Sequence, residues 1–420
     1  MDTEKIPFAR PFIGEAEEAA VLRVLRSGWL TTGSETLAFE KEFAAFFGEQ
    51  ASAESESGRL HALAVNSATS GLHLAMEAAG VGPGDVVLVP SFTFTATAEV
   101  VRYLSADVAF VDVTPGTCLM DPQKLEETLL RLKQGLPAYE RRGEDGSIQR
   151  FGPKGNPKAA IPVHYGGLPC DMDAIMEIAR KFELFVCEDA AHAFPSRLED
   201  GRWAGLLGDV GVFSFYATKT ITTGEGGMAV TRNSSLSQRM AIMRSHGIDR
   251  SVWNRYTDTK ASWYYEVVAA GYKYNLPDIL GALGRAQLSR AMDLLEMRRA
   301  IARIYDDNFK DCACLSLPAT GAADARHLYP LKLGLENLSI SRDRFIDLLQ
   351  ERGIGVSVHF IPLHTMPYYR EKYSLVPGDF PESCKAFTRS ISLPIWPGMD
   401  NNQIMRVTAA VLGIAREYST

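Results

Sequence analysis

The chain has 420 residues, of which 46% are hydrophobic and 23% charged, and its formal net charge is −7. This much apolar sequence is enough for a large core and two domains, which excludes a disordered scaffold. The charges are spread without acidic or basic blocks, so a nucleic-acid partner is excluded and small molecules are favoured.

The cysteines predict neither disulfides nor a zinc site, and the N-terminus does not have the pattern of a signal peptide. The six cysteines form no disulfide framework and no C-x-x-C pair typical of zinc, so we expect no metal site. The segment MDTEKIPFARPFIGEAEEAA lacks the apolar region of a signal peptide, and no later run reaches the length of a membrane span. We therefore expect a cytoplasmic protein without a membrane partner.

The first sixty residues predict two helices. The stretches EAEEAAVLRVLRSG and ETLAFEKEFAAFFG repeat apolar residues at helical spacing, and a turn-like WLTTGS separates them. The following stretch, GEQASAESESGR (48–59), is rich in Gly, Ser and charge, which predicts a surface loop.

Seven short apolar runs follow, each with a helix-like segment after it. This alternation predicts an α/β fold with a mostly parallel sheet between layers of helices. Ligands of such sheets bind beyond the carboxyl ends of the strands, so the polar residues just after each run are candidates for function. The runs are LHALAVN, DVVLVP, VAFVDV, AAIPVHY, LFVCED, VGVFSFY and GGMAVT.

The remaining sequence predicts a surface loop at 134–159, rich in Gly, Pro and charge, and a second domain. After long helical segments up to about residue 309 come an apolar run LYPLKLGL, a helix ISRDRFIDLLQERG and a strand IGVSVHF. We therefore predict a large domain at 1–299 and a smaller C-terminal α+β domain at 300–420.

Two residues after apolar runs are suited to cofactor chemistry. Lys219 follows VGVFSFY among small residues, although a solvated loop lysine is an equal alternative on this segment alone. Asp189 ends LFVCED, where a buried acid needs a positive partner such as a pyridinium nitrogen. Its neighbour Glu188 should point the opposite way, as an outward-facing or capping acid.

A third candidate is the stretch VNSATSGLHLAM, a strand end followed by small hydroxyl residues and an amphipathic helix. Backbone amides at such a helix start, together with the hydroxyls of Thr69 and Ser70, can hold a phosphate. An ordinary helix N-cap is the alternative.

In this order the segments resemble the sugar aminotransferases of the DegT/DnrJ/EryC1/StrS family, which have fold type I of the pyridoxal-phosphate enzymes. The resemblance covers almost the whole chain. The matching stretches are SGWLTTG (27–33), FEKEFAAFFG (39–48), NSATSGLHLAM (66–76), VPSFTFTATA (89–98), PVHYGGLPCDMDAI (162–175), EDAAHAF (188–194), FSFYATK (213–219), GEGGMAV (224–230), GYKYNLPDILGALGRAQL (271–288) and SVHFIPLH (357–364).

The resemblance implies roles at the cofactor. Lys219 would form the internal aldimine with pyridoxal 5′-phosphate, Asp189 would pair with the pyridine nitrogen, and His192 would lie beside the ring and its phenolic oxygen. The other implied cofactor contacts are Thr69, Ser70 and Ser214 at the phosphate and Phe94 on the ring face. Core packing is the alternative for Phe94.

The resemblance also implies a homodimer with a shared active site, because Asn275 would reach the phosphate of the neighbouring subunit. Locally, Asn275 is equally suited to a turn. The implied contacts to the sugar are Trp29, Thr31, Thr32 and His359. A Gly-rich turn and a hydrogen-bonded core histidine are the alternatives for these segments.

The implied reaction moves the amino group of L-glutamate onto a nucleotide-linked keto-sugar, with C4 favoured over C3. Related dehydratases carry histidine where this chain has Lys219, which favours transamination. A nucleotide-dependent oxidoreductase is disfavoured because no G-x-G-x-x-G follows the first strand. A noncatalytic regulatory protein is disfavoured because Lys219 and Asp189 are both present. The long 134–159 segment departs from the family pattern and leaves the sugar open.

Overall fold

A computed structural model describes residues 5–48, 59–249, 265–321 and 323–420. The loop predicted at 48–59 lies almost entirely outside these ranges. None of the helices in the described ranges is long and apolar enough to cross a membrane.

The strands confirm the predicted alternation and add elements that the sequence did not predict. They are β1 (His61–Val65), β2 (Asp85–Pro90), β3 (Asp107–Val111), β4 (Tyr139–Arg142), β5 (Ile148–Phe151), β6 (Asn156–Ala160), β7 (Phe185–Asp189), β8 (Val210–Ser214), β9 (Gly227–Thr231), β10 (Leu315–Ser316), β11 (Tyr329–Leu333) and β12 (Ser390–Leu393).

Helices cover the sheet and build the C-terminal region. They are α1 (Glu15–Ser27), α2 (Ser34–Phe46), α3 (Ala68–Ala78), α4 (Ala96–Tyr103), α5 (Pro122–Lys133), α6 (Met172–Phe182), α7 (Ser234–Met243), α8 (Asp278–Ser289), α9 (Ala291–Phe309), α10 (Arg342–Glu351), α11 (Pro367–Tyr373), α12 (Pro381–Arg389) and α13 (Asn401–Glu417).

Local sequence explains these helices. In α6, Ile175, Ile178 and Phe182 are buried at spacings of three and four residues, which places them on one face of the helix. The Asp171 carboxylate accepts the backbone N–H of Ala174 and caps the helix start. Amphipathic spacing and a side-chain cap thus fix both the buried face and the first residue of the helix.

The seven-stranded sheet has the order β1-β9-β8-β7-β6-β2-β3. β3, β2, β6, β7 and β8 pair in parallel, and β9 runs antiparallel to both β8 and β1. β1 therefore runs in the same direction as β8. The carboxyl ends of β1, β2, β7 and β8 consequently lie at one edge of the sheet, which confirms the predicted mostly parallel architecture.

A separate three-stranded antiparallel sheet, β10-β11-β12, carries its own apolar core with α10 and α13. Helix α9 contributes Leu294 to a core on the large sheet and Ile301 and Tyr305 to the C-terminal core. The division between residues 299 and 300 stays a proposal, and α9 runs across it.

The segment 134–159 is not the loop we expected. It forms the antiparallel hairpin β4–β5 and then enters β6. The Tyr139 hydroxyl donates to the Phe110 carbonyl, and the Arg141 guanidinium binds both carboxylate oxygens of Asp379. These contacts hold a charged hairpin against β3 and the C-terminal region, which composition alone did not indicate.

Two strand predictions were also wrong in extent. AAIPVHY forms a strand only up to Ala160, and IGVSVHF forms isolated bridges, Ile354 with Ile6 and Ser357 with Ser392. Val163 of the first segment and His359 and Phe360 of the second line a cleft, a tertiary arrangement that local β propensity does not include.

Candidate active site

A cleft of about 430 Å³ opens at the carboxyl edge of the large sheet. Its walls come from segments that directly follow β1, β2, β7 and β8, and from the C-terminal region. Of the residues predicted for the site, those that line the cleft are Thr69, Phe94, Asp189, His192, Ser214, Lys219 and His359.

A larger open groove of about 1110 Å³ lies elsewhere on the surface and contains none of these residues. Two of its acids, Asp121 and Asp171, accept backbone N–H groups at the starts of α5 and α6. Two others, Asp173 and Asp200, pair with Arg202. These four carboxylates are engaged as helix caps or ion pairs, and we place the chemistry in the smaller cleft.

Lys219 lies five residues beyond the end of β8 and extends its amine into the cleft. Its Nζ is 3.4 Å from Nε2 of His327. The pKa of Lys219 is lowered to about 7, mainly by burial and to a smaller extent by the charge of Arg298, while the carboxylate of Asp189 opposes both effects. A large fraction of this amine is therefore neutral and nucleophilic near pH 7.

Asp189 ends β7 at the floor of the cleft and is 5% exposed. The Thr97 hydroxyl donates to Oδ2 at 2.9 Å, and the Ala191 amide donates to Oδ1 at 3.1 Å. Burial raises the pKa of Asp189, although these two hydrogen bonds and the Lys219 amine lower it. A protonated pyridine nitrogen would supply the positive partner that a buried carboxylate requires.

His192 is buried on the same side of the cleft, with its ring 4.4 Å from that of His327 between centroids. The backbone N–H of Gly166 donates to Nδ1 at 3.2 Å. Burial and the Lys219 charge keep the pKa of His192 well below its usual range, so the ring is neutral. Because Nδ1 accepts, the ring proton is on Nε2, and His192 can donate a hydrogen bond from that atom.

The start of α3 forms the opposite wall, but its hydroxyls are not arranged as expected. Ser67 caps the helix by accepting the Ser70 amide at 3.1 Å. The Ser70 hydroxyl is buried, donates to Asn66 and does not line the cleft, whereas Thr69 does. The phosphate-suited surface is therefore the first turn of α3 with Thr69, not with Ser70.

Phe94 is not a core residue, since 57% of its surface is exposed. Its ring borders the cleft 6.0 Å from the ring of Phe360, between centroids. An exposed aromatic face at this point suits a planar ring stacked on it. Exposure thus decides against the core alternative.

His359 lines the cleft and also makes a packing contact that satisfies part of its ring. Its Nδ1 is 2.9 Å from the Ser392 hydroxyl, and its ring stacks on Phe8 at 5.4 Å. Burial and the Lys219 charge lower its pKa to about 4, so the ring is neutral. His359 is therefore a packed, hydrogen-bonded histidine that also lines the cleft, and its contact with the sugar stays a prediction.

The remaining predicted residues form a second cluster that does not line this cleft. The Asn275 amide donates to the Thr32 hydroxyl at 2.7 Å, and Trp29 Nε1 donates to the Thr32 carbonyl at 3.4 Å. Thr31, next to them, accepts the Asp278 amide through its carbonyl at 3.3 Å. The fold thus brings together SGWLTTG and Asn275, but not beside Lys219 of the same chain.

The expectation that Glu188 is outward-facing was wrong. Glu188 is completely buried, with Oε2 2.9 Å from His164 Nε2. The backbone amides of Gly205, Leu207 and Gly208 donate to its two oxygens. It points away from the cofactor side as alternation requires, but it organises the turn before β8 instead of facing solvent.

Sequence analysis missed three residues around Lys219: Thr97, His327 and Arg298. Thr97 lies within the motif VPSFTFTATA, which gives it no signal of its own. His327 immediately precedes LYPLKLGL and also lacks a local signal. Arg298 had one, because it falls on the buried stripe of α9 between Leu294 and Ile301. A charged residue at an apolar helix position needs a buried partner, which is evidence for a role.

Comparison with known proteins settles the family. The model of the DegT/DnrJ/EryC1/StrS aminotransferase family matches residues 11–412. The chain belongs to this family. The predicted resemblance is thereby confirmed, and the oxidoreductase alternative is excluded.

Individual relatives of this aminotransferase match over nearly full length. It is 38% identical over 414 residues to the spore coat polysaccharide biosynthesis protein SpsC of Bacillus subtilis, covering 98% of this chain and 97% of SpsC. PseC of Helicobacter pylori, an aminotransferase involved in the biosynthesis of pseudoaminic acid, has a TM-score of 0.84 at 25% identity, with 99% and 100% covered. The aminotransferase TlmJ of Streptoalloteichus hindustanus has a TM-score of 0.81 at 30% identity, with 98% and 99% covered.

The family uses pyridoxal phosphate, and the cleft of this aminotransferase fits that cofactor. A buried acid and a lysine of lowered pKa line the same cleft, which suits a cofactor that carries a pyridine nitrogen and an aldehyde. At the phosphate end, Gly227 lets β9 approach the start of α3, since a Cβ there would lie 2.7 Å from the Ala68 nitrogen. The residues present therefore suit both ends of the cofactor.

Proposed function

We propose that this aminotransferase moves the amino group of L-glutamate onto C4 of a nucleotide-linked keto-sugar. The observation that carries the proposal is the lysine amine of pKa about 7 enclosed with Asp189 and His192 at the sheet edge. The sugar class is supported by the family resemblance of GWLTTG, PVHYGG, EDAAHA and GYKYNLPD and by the polysaccharide role in the name of SpsC.

Lys219 acts twice in this proposal. Pyridoxal phosphate, when bound, supplies the electron sink that stabilises negative charge on the substrate carbon that loses a proton. The Lys219 amine would hold the cofactor covalently and, once released by the amino donor, would accept and return the proton that moves during the transfer. Its low pKa lets it both accept and return that proton near neutral pH.

Asp189 and His192 set the electronic state of the site. The Asp189 carboxylate, oriented by Thr97 and the Ala191 amide, would hold a proton on the pyridine nitrogen. The Nε2–H of His192, fixed by the Gly166 amide at Nδ1, would donate to the phenolic oxygen. Phe94 would cover one face of the ring and exclude water from it.

The phosphate and sugar contacts involve two chains in this proposal. Thr69, Ser214 and the first turn of α3 would bind the phosphate from the same chain. Asn275 would reach it from the neighbouring subunit, and Trp29, Thr31 and Thr32 would border the sugar with His359. The separation of SGWLTTG and Asn275 from the cleft of their own chain supports a homodimer with a shared site.

We place this activity in the cytoplasm, where nucleotide-linked sugars are available as substrates. Its product would serve polysaccharide biosynthesis, as the name of SpsC indicates for that relative. Neither assignment affects the chemistry of the cleft.

The direct test is a panel of nucleotide-linked 4-keto and 3-keto sugars incubated with the holoenzyme and L-glutamate, read by mass spectrometry of the amino-sugar and by 2-oxoglutarate formation. We expect amination of a 4-keto sugar with one 2-oxoglutarate released for each product. Amination of 3-keto sugars alone would reassign the carbon. Loss of a sugar hydroxyl without 2-oxoglutarate would show a dehydratase instead.

A further inference from the structure

Arg298 is a buried cation in the middle of α9 whose two Nη atoms donate only to carbonyl oxygens among the described residues. It is 2% exposed. Its Nη1 donates to the carbonyls of Ile395 at 2.7 Å and His327 at 3.3 Å, and its Nη2 to those of Thr218 at 3.0 Å and Lys219 at 3.2 Å. Its Nε has no partner among the described residues.

Such a group is expensive to bury. Burial lowers the pKa of Arg298 to about 10, and no carboxylate in the described part of the chain offsets that effect. A guanidinium withdrawn from water without a counter-ion carries a large desolvation penalty before its hydrogen bonds are counted. An apolar residue of similar length would pack in α9 without this cost, so the charge and the donors need another explanation.

The four carbonyls belong to three segments that are distant in sequence. Thr218 and Lys219 follow β8 of the large sheet, His327 precedes β11, and Ile395 follows β12 of the second sheet. The planar fork of arginine presents its donors in a fixed geometry. Arg298 therefore fixes the backbone of the reactive lysine relative to His327 and relative to the C-terminal core.

The charge of Arg298 also acts on the cleft. Burial is the largest cause of the lowered pKa of both Lys219 and His327, and the charge of Arg298 lowers both values further. The carboxylate of Asp189 raises the pKa of Lys219. The reactive amine thus lies between a negative group on the cofactor side and a positive group behind its own backbone. The titratable and charged groups around it are Asp189, His192, His327, His359 and Arg298.

We propose that Arg298 is a positioning residue for the transamination, which fixes the Lys219 backbone against His327 and places an unpaired positive charge behind the Lys219 amine. The inference rests on the proposed role of Lys219 as the cofactor lysine. It assigns a functional reason to a charge that packing alone does not require.

The test is a pH titration of the absorbance of the lysine-linked cofactor in the holoenzyme. Arg298→Met removes the charge and the donors, so the midpoint should move to higher pH, on the order of one unit for a unit charge at an effective dielectric constant near 20. Arg298→Lys keeps a charge but loses the fork, so its midpoint should stay near the wild-type value while kcat falls at unchanged KM. Arg298→Gln repeats the neutral case if the Met variant does not fold.

Arg299→Met is the matched control, because Arg299 is the next residue of α9 and donates to the Asp324 carbonyl away from Lys219. Its midpoint should equal that of the wild type. Selective labelling of Lys219 in the apoenzyme across pH, read by mass spectrometry, gives the same comparison without cofactor. Equal midpoints in wild type, Arg298→Met and Arg298→Gln would overturn the inference. Absence of a lysine-linked band in the wild type would instead contradict the role of Lys219.

Discussion

The amine nitrogen of Lys219 lies 3.4 Å from Nε2 of His327, a residue 108 positions later in the chain. One residue follows a strand of the large sheet and the other precedes a strand of the C-terminal sheet. Burial lowers the pKa of both groups, so above pH 7 the contact joins a neutral amine to a neutral imidazole. The Lys219 amine is therefore positioned by a contact between the segment after β8 and the segment before β11, which belong to different sheets.

Replacing the lysine should abolish the covalent link to the cofactor. Lys219→Ala should lose the yellow absorbance of the lysine-linked cofactor, and its kcat should fall on the order of a thousandfold or more, since anchor and proton carrier disappear together. Absorbance spectra and steady-state turnover measure both effects. Lys181→Ala is the control, because Lys181 is exposed and pairs with Glu126 at the surface. A yellow Lys219→Ala variant with wild-type turnover would contradict the assignment.

Removing the charge of Asp189 should impair chemistry more than folding. Asp189→Asn keeps the shape and the hydrogen bond from Thr97 but cannot hold a proton on the pyridine nitrogen, so we expect kcat to fall on the order of a hundredfold. The cofactor absorbance should shift while the melting temperature stays close to that of the wild type. Turnover unchanged in Asp189→Asn would show that this acid does not face the ring.

Replacing Glu188, the neighbour of Asp189, should impair folding more than chemistry. Glu188→Gln turns an amide NH₂ toward groups that already donate, His164 and the amides of residues 205–208. We expect the free energy of unfolding to drop by about 3–5 kcal/mol, the usual cost of breaking a buried charged network. Chemical denaturation measures the loss, and the cofactor spectrum of the folded fraction should be unchanged. A spectral change at constant stability would move Glu188 into the active site.

The lowered pKa of Lys219 predicts how reconstitution depends on pH. Only the neutral amine attacks an aldehyde, so the rate at which apoenzyme takes up pyridoxal phosphate should rise with pH and level off above about 7, the pKa given by burial. Asp189→Asn removes the charge that raises this pKa, so its profile should lie at lower pH. A small primary amine supplies the reference profile. A midpoint near that of free lysine would contradict the buried environment.

A shared site predicts complementation between two inactive chains. Asn275→Ala and Lys219→Ala homodimers should each be impaired, because every site lacks one of the two residues. A mixed dimer carries one site with both changes and one intact site, so co-refolding the two chains should restore activity. Two Lys219→Ala preparations mixed in the same way are the control. No recovery in mixed dimers shown by mass spectrometry to have formed would place Asn275 in its own chain's site.

The local pattern of apolar and polar residues was sufficient to predict much of the fold. Apolar runs predicted six of the seven strands of the large sheet nearly in full, since a strand buried on both faces is apolar throughout. Of β6 they predicted only the last two residues, because this strand begins with the polar stretch NPK. The hairpin β4–β5 escaped because its strands are mostly exposed and charged, and the GEDGS turn between them was read only as loop composition. IGVSVHF was read as a strand because β propensity does not include the contacts that direct its backbone to the cleft.

By itself, the sequence determined the family and the α/β class and predicted the roles of Lys219, Asp189 and His192, because motif order and the polar residues at strand ends can be read from adjacent residues. Only the tertiary structure decided that Thr97 orients Asp189, that Ser70 turns away from the cleft, that Glu188 is buried, and that Arg298 and His327 surround the lysine. These relationships join segments up to 108 residues apart. Burial, charge and distance between such segments exist only after the sheets have packed, and they are what lowers the pKa of the Lys219 amine.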